Sequence, residues 1–187
     1  GNNLKVVRQT SSSSSNANET GITSNYVKND DHYTGASDLG LSGGGQWTAR
    51  YPGSLGNSLQ VVWTDGGIGT GGAVATTQYE DWTYYAYFDS NMPYTSQWME
   101  DLTGITQGYD GLNIAVIDED GLFTGTKGTV LESFNAVSKA ANAKTMTGES
   151  NYYQEVINTS SKYIWWGAHP DAGTGSGQVT GGSLSWG

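Results

Sequence analysis

Apolar and polar positions alternate most clearly in Ser58 to Thr64, which predicts a strand with Leu59, Val61 and Trp63 on one face. Gly111 to Ile117 is a nearly continuous apolar run and predicts a second strand. It is followed by a turn at Asp118-Glu119-Asp120-Gly121 and a return at Leu122-Phe123-Thr124. Gly128 to Ser138 carries two periods at once. Val130, Glu132, Phe134 and Ala136 share a strand face, whereas Leu131, Phe134, Val137 and Ser138 share a helical one. Its β-branched content and neighbouring turns favour the strand. Thr76 to Phe88 is aromatic-rich and reads as one or two strands centred on Trp82, Tyr84 and Tyr85, and Lys162 to Trp166 reads as a final buried strand. Leu4 to Arg8 is a further short candidate. Helical spacing occurs twice: in Ser96 to Leu102, through Trp98, Met99 and Leu102, and in Ser150 to Thr159. In the latter, Ser150 is the predicted N-cap and Tyr152, Tyr153, Val156 and Ile157 form the apolar stripe.

Between these elements the chain is punctuated by turn chemistry. Pro52-Gly53 places a fixed φ before a residue free to take positive φ, the pattern of a type II turn. Gly56-Asn57 is read as a second positive-φ site, with the Asn57 amide bonding local backbone ahead of the Ser58 strand. Residues 1–45 read as an irregular entry. Its serine tract, Ser11 to Ser15, is either a flexible loop or a pinned surface excursion, with at most a turn of helix nearby. Residues 46–169 form the expected domain, and 170–187 read as a Gly/Ser-rich linker or truncated end. The predicted fold is α+β and β-dominated: an antiparallel sheet or two-layer β-sandwich with a few short flanking helices.

Composition narrows the function classes. Eighteen acids against eight bases give the 187 residues a formal charge of −10, which opposes binding to a phosphate backbone or an anionic membrane surface. With no cysteine there is no disulfide, no thiol nucleophile and no thiolate metal site. No apolar run approaches the roughly 18 residues of a membrane span. The N-terminus carries neither an initiator Met nor a signal-like apolar segment, which suggests a processed chain or an excised piece of a longer one.

The candidate chemistry is sparse. Gly40-Leu41-Ser42-Gly43-Gly44 matches the G-x-S-x-G nucleophile pattern but lacks the strand before it and the helix after it. Gly67 to Gly72 matches G-x-G-x-x-G but leads into a strand-like run rather than a phosphate-binding helix. Asp118-Glu119-Asp120 offers oxygen ligands without the spacing of a calcium loop, so a solvated turn is expected there. Asp30-Asp31 and Glu80-Asp81 are isolated acidic pairs. His32 and His169 stand 137 positions apart and read as surface histidines. Asn18-Glu19-Thr20 and Asn158-Thr159-Ser160 match the glycosylation pattern. The seven tryptophans can serve core packing or a sugar-stacking platform, and Trp63, Trp82 and Trp165 sit in strand-like runs that favour packing. No nucleophile with its base, metal shell or phosphate cradle emerges, so neither catalysis nor a cofactor is expected.

Three segments in order resemble the tail sheath proteins of contractile-tailed, T4-like bacteriophages. They are Ala49-Arg50-Tyr51-Pro52-Gly53-Ser54-Leu55-Gly56-Asn57-Ser58-Leu59-Gln60-Val61; Ile117-Asp118-Glu119-Asp120-Gly121 followed by Gly125-Thr126-Lys127-Gly128-Thr129-Val130-Leu131-Glu132-Ser133-Phe134 and Ser138; and Tyr152-Tyr153-Gln154-Glu155-Val156-Ile157-Asn158 with Ser160-Ser161-Lys162-Tyr163-Ile164. The resemblance spans about two-thirds of the chain, Gln46 to His169. It implies a non-enzymatic structural subunit of a virion, assembled in the host bacterial cytoplasm. Its implied partners are further copies of itself in stacked six-fold rings, the tail tube and the baseplate. Contraction of that sleeve would drive the tube through the host envelope. The resemblance also implies a middle-region fragment, monomeric in isolation, with Arg50, Tyr51, Pro52, Gly53, Gly56, Asn57, Gly128, Glu132, Tyr153, Val156, Ile157, Asn158 and Tyr163 as structural positions. For Glu132, an acid in an apolar run, Arg50 and Lys127 are the expected partners. A non-catalytic glycan-binding or adhesin module and a glycan hydrolase remain as rival readings. They would be marked by exposed tryptophan and by two carboxylates facing each other in a groove.

Overall fold

The structure, a computed structural model, describes residues 11, 14–17, 27–35, 46–65, 80, 82–88, 95–104, 110–167 and 182–185. Its order is α1 (Asp30–Gly35), β1 (Trp47–Ala49), β2 (Leu59–Asp65), α2 (Gln97–Thr103), β3 (Gly111–Asp118), β4 (Thr129–Ser138), α3 (Tyr153–Ser160), β5 (Ile164–Trp166) and β6 (Gly182–Ser185). The strands make two antiparallel sheets, one of four strands in the order β4-β3-β2-β6 and one pairing β1 with β5. The fold is therefore α+β and β-dominated.

β3 lies in the interior of the larger sheet, and all eight of its residues are buried. That explains its continuous apolar run, because a strand covered on both faces has no polar side to alternate with. On one face Leu59, Val61, Trp63, Leu112, Ile114 and Val116 pack against Trp47 and Ala49 of β1, Ile164 of β5, and Tyr153 and Ile157 of α3. Trp47 sits at the centre, tilted 59° to Trp63 and edge-on to Tyr153, each at 6.2 Å. On the other face Val62, Ala115 and Ile117 pack with Phe88, Trp82, Tyr84 and Val130. Each fully buried large side chain contributes about 1.5–3 kcal/mol, so these two faces carry most of the stability.

The double period of β4 has a structural cause. Its pairing with β3 slips between Leu112 and Ile114 and again between Val116 and Ile117. Each slip sets an extra β4 residue against β3 and moves the following side chains to the opposite face. Val130 consequently packs on the Ile117 face, while Leu131, Phe134 and Val137 all reach the Trp47 core. At the first slip Ala136 takes a φ of +47°, its N–H donating to Asn113 Oδ1 at 2.7 Å.

Several expectations are corrected. Within Thr76 to Phe88, residues 82–88 form bends and a 3-10 turn (Tyr85–Tyr87) rather than a strand, with Trp82 stacked on Phe88 at 5.3 Å. Aromatic content there reflects a cover packed on the sheet. Leu122 to Thr124 belongs to a turn and does not return as a strand. Helix α3 begins at Tyr153 with Tyr152 as N-cap and no side-chain cap bond. Ser150 lies before it, its hydroxyl accepting from the Tyr152 N–H at 3.4 Å. The predicted linker at 170–187 contains β6, which pairs with β2 from Gln60↔Ser185 to Trp63↔Gly182. A four-residue strand of Gly, Ser and Leu has no legible period, yet its backbone can satisfy the outer edge of β2. Helix α2 forms as expected, with the Ser96 hydroxyl accepting from Met99 N–H and Gly104 closing it at φ +67°. The end of the serine tract is pinned: Ser15 O accepts from Gly53 N–H, and Asn16, 1% exposed, bridges to Pro52.

Gly53 has the positive φ, +83°, that the turn requires. Gly56 does not. It sits in a 3-10 turn (Gly56–Ser58) where an added Cβ would lie 2.2 Å from the Tyr51 carbonyl oxygen, so close approach is what demands glycine there. Asn57 is exposed, and its side chain makes no hydrogen bond with a described residue. Its expected locking role belongs to Ser58, fully buried, whose hydroxyl donates to Asp118 Oδ1 at 2.6 Å and accepts from Asp120 and Leu122 N–H. Asn57→Ala is expected to leave stability within about 0.5 kcal/mol of the parent. Ser58→Ala should lower it by about 2 kcal/mol, because a buried carboxylate loses a donor and two N–H groups lose an acceptor. Urea unfolding of both variants checks the contrast.

Candidate functional site

The three sequence segments singled out above converge on one clasp beside β5. Arg50, which follows β1, lies with only 14% of its side chain exposed and spreads its guanidinium over three acceptors. Nε donates to Ile164 O at 3.0 Å, Nη2 to Asn158 O at 2.8 Å and Nη1 to Asp30 Oδ1 at 2.5 Å. Its Cζ lies 4.8 Å from the centre of the Trp165 ring, a cation–π contact. Tyr33 of α1 stacks on Trp165 at 5.4 Å with planes 7° apart, and Trp165 Nε1 donates to Asp30 at 2.9 Å.

Asn158 ties the C-terminal half of α3 to this group. Its Nδ2 donates to Tyr33 Oη at 3.1 Å and its Oδ1 accepts from Trp166 N–H at 2.9 Å. Both ends of the amide are thus engaged, which fits a structural role. Tyr33 Oη in turn donates to Trp166 O at 2.6 Å. Burial raises the Tyr33 phenol above its ordinary value, with the Asn158 bond and Arg50 opposing. Tyr153, fully buried, accepts from Trp166 Nε1 at 2.9 Å, and burial pushes its phenol far up. Val156 is partly buried against the core and Ile157 wholly buried.

The middle segment joins through Glu132. Its predicted partners, Arg50 and Lys127, are engaged elsewhere, Lys127 with Asp120 at 3.2 Å. Glu132 instead accepts from Ser161 Oγ at 2.7 Å and Lys162 N–H at 2.8 Å, holding the turn between α3 and β5. The bulged register of β4 places it opposite Val116, on the face that this turn covers. Tyr51, Phe123 and Tyr163 form an aromatic triangle, with Phe123 edge-on to Tyr51 at 5.2 Å and to Tyr163 at 5.3 Å. Gly128, at φ +76°, donates its N–H to Asp118 O.

Buried aspartates flank both ends of β3. Asp118 is not the solvated turn residue expected from its neighbours. It is fully buried, accepting from Ser58 Oγ, Phe123 N–H, Thr124 N–H and Thr124 Oγ1 at 2.6–3.0 Å. Burial alone would raise its pKa, but these donors outweigh it and hold the carboxyl below the ordinary value. Asp110, 5% exposed, accepts from Ser96 N–H and Oγ and from Ser138 Oγ, so it fastens the start of α2 to the end of β4. Both carboxylates are engaged by protein donors, four on Asp118 and three on Asp110. Among the described residues no group of three His, Asp or Glu is placed to hold a metal ion.

His32 lies in α1, where its Nδ1 accepts from Lys28 N–H at 3.1 Å. The G-x-S-x-G and G-x-G-x-x-G matches, His169, Asn18-Glu19-Thr20 and Leu4 to Arg8 fall outside the described residues. Compared with protein-family models and with curated proteins, the chain matches none.

Proposed function

We propose that this chain is a structural domain of a tail-sheath-type subunit, a non-catalytic element of the sleeve around the tube of a contractile bacteriophage tail. One observation carries the reading. The segments that resemble sheath proteins are distant in sequence, yet their polar residues bond one another in a single clasp: Arg50 to the carbonyls of Asn158 and Ile164, and Glu132 to Ser161 and Lys162. Such bonds fix elements against one another and present no nucleophile, base or oxyanion donor to a substrate. A subunit that transmits force needs its edges held to a rigid core in this way. Its partners on this reading are further copies of the subunit, the inner tube and the baseplate.

Antibodies raised against this chain, gold-labelled and applied to intact tailed particles, test the proposal by electron microscopy. Label is expected at regular intervals along the whole tail shaft. Label confined to fibres or the tail tip, or found only on particles without a contractile shaft, would overturn it.

A further inference from the structure

Against α2, an open groove of about 730 Å³ runs between that helix, the β3–β4 bulge and the segment 144–151. We propose that this groove is a binding site for a neutral saccharide, with Trp98 as its stacking platform. The proposal goes beyond the sheath reading and does not depend on it.

Six of the seven tryptophans lie among the described residues, and five of them are engaged in packing or hydrogen bonds within the fold. Trp98 is the exception. It is half-buried and lines the groove, and within the described structure it has neither a ring partner nor an acceptor for its indole N–H. An indole left in this state in a concave site offers an apolar face for the C–H side of a sugar ring and a free donor at its edge. Around it stand the polar groups that a sugar's hydroxyls require. Asp101 is oriented by Gln97 Nε2 at 2.8 Å, while Glu100 and Lys144 make no side-chain bond among the described residues. Gly111 and Ala136, on adjacent strands, keep side-chain bulk out of the groove.

Charge selects among ligands of this size. Glu100 and Asp101 oppose a single Lys144 in a chain of net charge −10, so nucleotides and acidic sugars are repelled. A single aromatic cannot build the cage that a quaternary ammonium needs. An open wall of carboxylate, ammonium and amide groups does not suit a lipid. A neutral saccharide satisfies both the indole and the polar rim. The exposed Leu102 and Met146 at the margin, 63% and 99% exposed, are equally compatible with a protein partner, and the experiment separates the two.

The test follows the indole N–H resonances of the ¹⁵N-labelled chain, with that of Trp98 assigned by its loss in Trp98→Phe. Neutral tetrasaccharides of glucose, galactose and N-acetylglucosamine are each titrated to about 10 mM. At least one is expected to shift the Trp98 resonance saturably. Trp98→Ala should weaken that binding at least tenfold, read from backbone amides of the groove, while Trp98→Phe, which keeps a stacking ring, should weaken it no more than about fivefold. Unchanged positions of the other indole signals show that each variant is folded. The proposal is overturned if none of the three sugars moves the resonance, or if binding survives in Trp98→Ala. It is likewise overturned if the resonance responds only to protein concentration, which would mark the groove as a contact between copies. None of these results bears on the particle labelling that tests the sheath reading.

Discussion

Asp118→Ala is expected to lower the stability of the fold by about 4 kcal/mol, enough to reduce the melting temperature of a chain this size by roughly 8–16 °C. The carboxylate lies at the end of the buried central strand and accepts four hydrogen bonds from Ser58, Phe123 and Thr124. Truncation would strand the buried Ser58 hydroxyl and leave the part-buried Phe123 and Thr124 donors without their acceptor, and an unsatisfied buried group costs about 1–3 kcal/mol. Asp118→Asn keeps one acceptor oxygen but turns an NH₂ towards donors, so a smaller loss of about 2–3 kcal/mol is expected. The pH dependence distinguishes this account from loss of packing. The folded carboxyl titrates below its ordinary value of 3.8. Its stabilisation is therefore complete above the unfolded-state pKa and is lost as the pH falls through the lowered folded one. The stability gap between the parent and Asp118→Asn, measured by urea unfolding, should be widest at pH 6 and should narrow below about pH 4. A gap that stays constant down to pH 2.5 would show that the ionised form has no special role.

What the amino-acid pattern made legible was whatever repeats over several residues. Leu59, Val61 and Trp63 announced the core face of β2, and the spacing of Trp98, Met99 and Leu102 announced α2, because period is a local property. Asp118 was misread for a complementary reason. Its neighbours Glu119 and Asp120 made the run look solvated, yet its burial is decided by Ser58, sixty positions away. Glu132 was recognised as needing a specific partner, but its partners Ser161 and Lys162 are unremarkable in composition and become neighbours only when the bulges of β4 turn the side chain towards them. The aromatics of Trp82 to Phe88 carried strand-like propensity into a segment whose work is to cover a sheet, where ring area matters more than backbone preference. Trp98 could not be told from the other tryptophans until the partners of the described ones were known.

Arg50→Ala should destabilise the chain by about 3 kcal/mol, and the pairing with Asp30 will account for little of it. That aspartate side chain is 72% exposed, and an ion pair so open to solvent is worth roughly 0–1 kcal/mol. The larger share lies with the two carbonyls, Ile164 O and Asn158 O, which lose a charged donor, and with Trp165, which loses its cover. Lysine supplies the charge but a single ammonium in place of the planar fork, so it cannot reproduce the arrangement that joins α3 to β5. Arg50→Lys is therefore expected to recover less than half of the loss. Raising sodium chloride from 0.1 to 1 M should change the stability difference between the parent and Arg50→Ala by under about 1 kcal/mol, since within the clasp only the Asp30 contact is open to screening. Guanidinium itself would screen the charges, so urea is the denaturant for this series. Full rescue by lysine together with a large salt effect would make the clasp a surface ion pair. The convergence of the sequence segments on Arg50 would then lose its structural meaning.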